Sequence, residues 1–179
     1  MSSLILTGDT SGTITVSAPA VAGTRTLTLP AATGTVMVNG PAFSATRTAD
    51  QTFSNSTFTK LQVNTETFDT NSNYDPTTNY RFTPTVEGYY QINGNISFGG
   101  STSGYCQIGI YKNGGVHNYG SGIPNNNSVG GQVFVASVVY LNGSTDYVEL
   151  YGWQNSGGSL GLLTSTGRNT FSGCMVRSA

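Results

Sequence analysis

Few residues in this sequence have the chemistry that an enzyme needs. His117 is the only histidine, and it lies in a stretch rich in Gly and Asn that predicts a loop. A single histidine without a local signature does not indicate a Ser/His/Asp or Cys/His arrangement. The CxxC, HExxH and P-loop motifs are absent as well. We therefore expect no catalytic residues, no cofactor and no enzymatic activity.

The carboxylates are scattered along the chain, and only two pairs of them suggest a joint role. A glycosidase needs two carboxylates that face each other, and the close pairs are Glu66 with Asp69 and Asp146 with Glu149. A separation of three residues places the two members of each pair on opposite faces of a strand. We expect all four side chains to be solvated, and the sequence predicts no metal site.

A second candidate surface consists of aromatic residues that carry a polar group. They are Tyr105, Tyr111, Tyr119, Tyr147, Tyr151 and Trp153. Such side chains suit stacking on sugars, and they also suit subunit interfaces, because one end is apolar and the other is polar. For a protein that assembles from several copies, the interface is the favoured use.

One stretch, residues 77–98, has the clearest structural pattern in the chain. From Tyr89 its residues alternate strictly, and those on one face are Tyr90, Ile92, Gly94, Ile96 and Phe98. This period of two predicts an antiparallel strand with one face in the core and the other in water. Glu87-Gly88, which precedes it, has the composition of a turn.

The rest of the chain also has the composition of short strands and turns. Charged residues make up only 8% of the chain, against about 25% in an average globular protein, and 24 Gly residues separate short apolar runs. Asn113-Gly114 and Asn142-Gly143 predict hairpin turns, and residues 118–131 predict a long loop. No stretch has helical periodicity, so the sequence predicts an all-β fold.

The predicted core combines aromatic, aliphatic and thiol side chains. Its first strands supply Phe43, Phe53, Phe58, Leu61, Val63 and Phe68. Cys106 and Cys174 lie in apolar strand patterns and are expected to be buried thiols, with a disulfide as the alternative, because sequence gives no distance. Residues 133–141 (VFVASVVYL) are apolar on both faces. This predicts a strand whose outer face is covered by a neighbouring subunit.

Several short motifs, taken in order, resemble one known superfamily. They are Tyr74-Asp75, Arg81-Phe82-Thr83-Pro84, Glu87-Gly88-Tyr89-Tyr90, Tyr111-Lys112-Asn113-Gly114 and Phe171-Ser172-Gly173. Their order and spacing resemble the globular domain of the C1q/TNF-like superfamily over residues 41–178. The resemblance implies a jelly-roll sandwich that assembles as a homotrimer. The residues predicted for the trimer interface are Phe134, Val138, Tyr140, Tyr151 and Trp153.

The same resemblance draws attention to two carboxylates. C1q-like trimers that hold calcium near their apex make Asp75 and Asp146 candidate cation ligands. An Asp in a turn more often accepts hydrogen bonds from the backbone beside it. We therefore expect a turn role for these residues and no metal.

Residues 1–40 differ in composition from the rest of the chain. No aromatic residue precedes Phe43, and TITVSAP at position 13 is echoed by TLTLPAA at position 26 and more weakly by TVMV at position 35. Each copy is too short to bury its apolar face alone. We predict an extended β-arm over residues 1–40 and a jelly-roll domain over residues 41–179. An additional β-layer of the same domain is the alternative.

The arm is predicted to dock on a particle. Its docking residues are Leu4, Ile5, Leu6, Ile14, Val16, Leu27, Leu29 and Val36. Residues 26–36 (TLTLPAATGTV) resemble segments of structural proteins from marine and cyanobacterial phages. The expected partner is the major capsid protein.

Charge and hydropathy narrow the function classes further. The net charge of −1 gives no electrostatic basis for binding nucleic acid or an anionic membrane. The first residues lack a basic region before Leu4-Ile5-Leu6, so no signal peptide is predicted. A run of about 18 apolar residues, which a membrane span requires, is also absent.

We interpret the sequence as a bacteriophage virion protein on the outer surface of the capsid. It would be a trimeric decoration or cement protein that stabilises the head shell. The alternative is a tail-fibre or receptor-binding tip, which would contact tail proteins and a host glycan. A secreted C1q-like recognition module is a third class, and the absence of a signal peptide and of Gly-X-Y repeats argues against it.

Overall fold

A computed structural model describes residues 3–7, 10–17, 23–24, 40–101, 103–125, 130–164 and 167–179. These residues form strands and turns, and none of them is helical. The strands are β1 (Ser3–Thr7), β2 (Thr13–Ser17), β3 (Ala42–Thr46), β4 (Thr52–Phe53), β5 (Thr59–Lys60), β6 (Thr65–Asp69), β7 (Tyr74–Asp75), β8 (Arg81–Phe82), β9 (Glu87–Phe98), β10 (Tyr105–Lys112), β11 (Gly115–Pro124), β12 (Gly131–Asn142), β13 (Val148–Gln154), β14 (Leu160–Gly161) and β15 (Thr170–Ser178).

The chain divides into two compact units, Met1–Gly34 and Thr35–Ala179. In the first unit β1 and β2 pair as an antiparallel ribbon, with Leu4 opposite Val16 and Leu6 opposite Ile14. The boundary predicted at residue 40 and the separate arm domain stay predictions.

The larger unit is a sandwich of two antiparallel sheets. One is the five-stranded sheet, in the order β12-β9-β15-β3-β6. The other is the six-stranded sheet, in the order β11-β10-β13-β8-β7, with β5 also paired to β13. Sequence neighbours often lie in different sheets, so the connections cross the sandwich as they do in jelly rolls.

The strand β9 confirms the alternation read from the sequence. Tyr90, Ile92 and Ile96 are fully buried, while Tyr89 and Asn93 are exposed. The prediction of a turn at Glu87-Gly88 is wrong. Both residues belong to the strand, because β12 continues to Asn142 and pairs with β9 as far as Glu87.

The core lies between the sheets and contains a cluster of aromatic rings. Phe43 stacks on Phe82 with ring centroids 4.4 Å apart, and on Tyr74 at 5.0 Å. Phe171 meets Phe43 edge to face at 5.0 Å. Offset and edge-to-face pairs of this kind add stability beyond the area that they bury.

Two of the predicted core residues lie elsewhere. Phe68 is 49% exposed, because it pairs with Ser44 and so faces away from the core. Phe58 precedes β5 and is half-buried. It packs on rings at the outer surface of the six-stranded sheet instead.

One of the two predicted hairpins forms. Asn113 and Gly114 have φ values of 52° and 78°, as a type I′ turn requires, and they join β10 to β11. Asn142-Gly143 does not make a hairpin, because β12 and β13 belong to different sheets. There the Asn142 Oδ1 accepts hydrogen bonds from the amides of residues 144, 145 and 146.

The long loop predicted at residues 118–131 is largely a strand. β11 extends to Pro124 and pairs with β10 through two register shifts. It is the edge strand of its sheet, and most of its residues are at least partly exposed. Because β11 has no buried face, its sequence does not alternate between apolar and polar residues.

The two cysteines have different environments. Cys106 is buried as predicted, and burial raises the pKa of its thiol to about 11. The prediction that Cys174 is buried is wrong. In β15 the residues Phe171, Gly173 and Met175 face the core, so alternation leaves Cys174 exposed on the outer face. Both are free thiols.

Candidate interaction surfaces

The described residues bring together no constellation for acid–base or metal chemistry. Within them, no group of three or more His, Cys, Asp or Glu side chains is placed to hold a metal ion. His117 lies on β11 rather than in a loop, is exposed, and has its Nε2 3.4 Å from the Ser137 hydroxyl. None of the described residues forms a helix long and apolar enough to cross a membrane.

Two carboxylates expected to be solvated are instead buried in ion pairs. Glu149 is 4% exposed and lies 2.7 Å from the Lys60 ammonium. Asp146 is 9% exposed and lies 2.8 Å from the Lys112 ammonium. The hydrogen bond from Lys112 is the main cause that lowers the pKa of Asp146. Each carboxylate therefore pairs with a lysine of a different strand, Glu149 with Lys60 of β5 and Asp146 with Lys112 of β10.

The other close pair behaves differently. Glu66 is exposed, as expected. Asp69 is partly buried, and its Oδ2 accepts a hydrogen bond of 2.7 Å from the Tyr74 amide. It therefore holds the start of β7 instead of being fully solvated.

Asp75 has the turn role that the sequence predicts. Its Oδ1 accepts hydrogen bonds of 2.9 Å from the amides of Thr77 and Thr78, and its Oδ2 accepts two from Asn79. The amides of Thr78 and Thr77 are the largest causes that hold the pKa of this carboxyl well below its ordinary value of 3.8. With the Thr77 hydroxyl, which donates to Oδ1 at 3.1 Å, five donors bond to the two carboxylate oxygens.

The substitution Asp75→Ala is expected to weaken the dependence of stability on acid. Because the folded state depresses this pKa, the ionised carboxylate adds stability above the unfolded pKa, and this is lost as pH falls towards the folded value. The free energy of unfolding of the variant should be about 0.5 kcal/mol lower at pH 7, and the loss is small because solvent screens the site. Below about pH 4 the free energy of unfolding should decline less steeply with falling pH than in the wild type.

Urea unfolding between pH 7 and pH 2.5 measures this effect. Asp50→Ala is the matched control, because no side-chain hydrogen bond to the Asp50 carboxylate occurs among the described residues. Equal acid slopes for wild type and Asp75→Ala would contradict the assignment.

The outer face of the five-stranded sheet carries an exposed apolar strip along β12. Phe134 is 54% exposed, Val138 52% and Tyr140 38%. Tyr89 of β9 joins them, paired with Tyr140 at a ring distance of 5.5 Å. We call these four residues the β12 face. The alternation of β9 predicts that Tyr89 faces solvent, but this local pattern does not show that Tyr89 lies beside β12.

A shallow depression continues the β12 face across β9. Its volume is about 330 Å³, and Phe134, Ala136, Asn93, Asn95 and Thr170 line it. At the opposite end the Tyr140 hydroxyl donates a hydrogen bond to the Glu87 carboxylate, which is the main cause that raises the pKa of Tyr140. An apolar centre with polar groups at both ends is typical of a protein–protein interface.

Tyr151 and Trp153, the other predicted interface residues, lie on the opposite sheet. They project from the outer surface of β13 in the six-stranded sheet. The five residues predicted for the interface therefore form two separate surfaces. The interface role itself stays a prediction for each of them.

Around Tyr151 and Trp153 the six-stranded sheet carries an aromatic cluster. Tyr151 stacks on Tyr111 with centroids 4.0 Å apart. Phe58 lies 5.4 Å from Tyr119 and 6.2 Å from Trp153. Burial is the main cause that raises the pKa of Tyr151 to about 12. We call these five residues the outer aromatic cluster.

The ribbon of β1 and β2 has one apolar face. Cross-strand partners share a face, so Leu4, Leu6, Ile14 and Val16 lie together. All four are more than half exposed, and Ile5, on the opposite face, is 58% exposed. The predicted docking residues Leu27, Leu29 and Val36 lie outside the described residues.

The comparisons with known proteins identify the fold. No protein-family model and no curated protein matches this sequence. Among solved structures, the chain is similar to the globular domain of zebrafish complement 1qA protein, with a TM-score of 0.56 and 19% identity over 79% of this chain and all of that one. The fold is that of the C1q and TNF jelly rolls.

Two further structures support the C1q/TNF-like assignment. Murine APRIL at pH 5.0 matches with a TM-score of 0.57 and 9% identity over 77% of this chain and all of its own. Eiger TNF from S. frugiperda matches at 0.51 and 11% identity over 78% of this chain and 93% of its own. The C1q/TNF-like jelly roll predicted from the ordered motifs is confirmed.

Proposed function

We propose that the protein is a non-enzymatic, homotrimeric virion protein of a bacteriophage, of the capsid decoration or cement type. Its place would be the outer surface of the capsid. The observation that carries this proposal is the β12 face, an apolar strip that a single chain leaves exposed. The lack of a catalytic constellation among the described residues is in keeping with a mechanical role.

The β12 face supports assembly into a closed ring. Phe134, Val138 and Tyr140 are large side chains in one row, and the exposed fractions of Phe134 and Val138 exceed one half. A three-fold ring joins two different surfaces of each subunit, and it closes without leaving an apolar strip in water. The likeness to the C1q and TNF jelly rolls supports this arrangement, because the resemblance to that superfamily implies a homotrimer.

The ribbon of β1 and β2 supports docking on a second protein. Its apolar face of Leu4, Leu6, Ile14 and Val16 is exposed, and a two-stranded ribbon is marginally stable by itself. In a trimer three such ribbons engage a lattice together, so weak single contacts give strong attachment. The proposed partner is the major capsid protein, whose neighbouring subunits the trimer would clamp together.

A tail-fibre or receptor-binding tip is the second candidate function. The outer aromatic cluster favours it, because aromatic residues with polar groups can stack on a host glycan. In this second function the protein would still be a homotrimer. It would lie at the tail instead of the capsid surface, and the number of copies per virion would differ.

Copy number in purified virions tests the proposal. Quantitative mass spectrometry against the major shell protein is expected to give a count of the same order as the shell protein. A handful of trimers per virion would support the tail-tip function instead. Absence from virions would remove both structural functions.

Deletion of residues 1–40 tests the docking arm separately. The truncated chain is expected to remain a folded trimer and to lose binding to virions that lack the protein. Full-length protein is the positive control in the same sedimentation assay. Binding retained by the truncated trimer would contradict the assignment of the arm.

A further inference from the structure

Tyr105 presents its ring on the outer face of the six-stranded sheet. Its Cε1, Cζ and Oη atoms lie 2.3–2.6 Å from the position that a Cβ on Gly122 would take. The ring therefore lies directly over the Gly122 backbone, and only glycine allows it there. The residue stays 40% exposed, so the ring is held in place and still open to solvent.

The pairing of strands places other rings beside Tyr105. Gln107 pairs with Gly122 on one side and with Trp153 on the other. Neighbouring strands lie about 4.8 Å apart, so Trp153 and the backbone beneath the Tyr105 ring are separated by roughly 10 Å. That span matches one or two sugar rings.

Gln107 lies between these two aromatic residues. Its side chain is partly exposed and makes no hydrogen bond within the described part of the chain. An amide has two donors and an acceptor with two lone pairs. A free amide between aromatic rings can therefore bind the hydroxyl groups of a ligand whose apolar face contacts the rings.

The side chains of Tyr105, Gln107 and Trp153 carry no charge. On the neighbouring part of the sheet the Lys60 ammonium is paired with Glu149 at 2.7 Å. The Arg81 guanidinium lies 4.2 Å from the centroid of the Tyr147 ring, and its strand β8 is separated from β10 by β13. A surface built from uncharged side chains does not favour an anionic ligand such as nucleic acid or a sulfated polysaccharide.

We propose that Tyr105, Gln107, Tyr119 and Trp153 form a binding site for a neutral, pyranose-containing glycan. Tyr105 and Trp153 contact the apolar faces of the sugar rings, and the Gln107 amide binds their hydroxyl groups. Tyr119 of β11 pairs with Gly109, which lies two residues after Gln107 in β10, and Tyr119 therefore borders the site. Binding of a glycan at this site does not depend on whether the trimer is attached to the capsid or to the tail. The proposed site is therefore independent of the capsid assignment.

Trp153 provides a direct readout, because it is the only tryptophan in the chain. Its fluorescence is measured while full-length protein is titrated with cellohexaose, maltohexaose or mannohexaose, and with an oligomer of sialic acid as the anionic comparison. A saturable change with at least one neutral oligosaccharide and none with the anionic one is expected. No saturable change with any neutral probe, or a response to the anionic probe alone, would overturn the proposal.

Variants then locate the site. Tyr105→Ala is expected to weaken binding at least about tenfold, and Gln107→Ala roughly three- to tenfold. Phe68→Ala is the matched control, because Phe68 is an aromatic residue of the other sheet that is 49% exposed, against 40% for Tyr105, and it should leave affinity unchanged. Light scattering on each variant should still give the mass of the assembled protein.

Two results from these variants would count against the site. Unchanged affinity in Gln107→Ala, which removes no core contact, would show that the amide does not bind the sugar. A fall in assembled mass in Tyr105→Ala would instead identify this surface as a subunit interface. Neither result depends on virions, so both are distinguishable from failure of the capsid proposal.

Discussion

Replacement of Phe134 by aspartate is expected to convert the proposed trimer into monomers. Phe134 is 54% exposed in the single chain and lies at the end of the β12 face that adjoins the shallow depression. Large aromatic residues that become buried as hot spots in an interface contribute about 2–4 kcal/mol, which is roughly a 30- to 700-fold change in dissociation constant. Aspartate also places an unpaired charge in the contact, and burial of such a charge is costly.

Light scattering across a range of protein concentrations measures this change. Phe68→Asp is the matched control, since Phe68 is 49% exposed and lies on the same outer face. It belongs to β6 at the opposite edge of the sheet, about 19 Å from β12 at four strand spacings. Phe134→Asp that remains trimeric at low concentration would exclude the β12 face from the interface.

Removal of the Lys60 ammonium is expected to destabilise the jelly roll by about 3 kcal/mol. The Glu149 side chain is only 5% exposed, and its Oε1 lies 2.7 Å from Lys60 Nζ. The substitution Lys60→Met keeps much of the side-chain volume and leaves Glu149 buried without its counter-ion. The Asn79 carbonyl also loses the hydrogen bond of 3.0 Å that it accepts from Lys60.

Urea unfolding gives the loss in free energy, and a second substitution tests its cause. Lys60→Met combined with Glu149→Leu removes both charges and should recover most of the stability, because a well-packed apolar pair often equals a buried ion pair. Arg168→Met removes one positive charge from an exposed residue and should change stability by no more than about 0.5 kcal/mol. A loss below about 1 kcal/mol in Lys60→Met would mean that water reaches Glu149.

Strands with one buried face were predictable from the sequence, and strands without one were not. β9 alternates because Tyr90, Ile92 and Ile96 must face the core, and this pattern is visible in the chain itself. β11 lies at a sheet edge, and its residues have no such requirement. The motifs that resemble the C1q/TNF-like superfamily predicted the fold correctly, because their order along the chain reflects the order in which the strands follow one another.

The positions of the site residues depend on information that alternation does not contain. The outward orientation of Phe134 and Trp153 follows from their strands, but their places on opposite sheets follow only from the strand order. Burial of Glu149 depends on Lys60, which is 89 positions away in the sequence. Local patterns predict which face of a strand a side chain lies on. The partners that determine its environment come from distant parts of the chain.

The position of β15 determines when the jelly roll can fold. This strand lies between β9 and β3, and it joins the two halves of the five-stranded sheet. During synthesis β15 emerges about 130 residues after β3, which at about 5–20 residues per second is roughly 6 to 26 s. Through that interval the backbone edge of β3 that β15 will cover stays open to wrong partners, and the corresponding edge of β9 stays open from the time when β9 itself is made. Folding therefore completes late and slowly, as expected for non-local strand pairing, and soluble yield should depend on how well the nascent chain is protected until β15 is made.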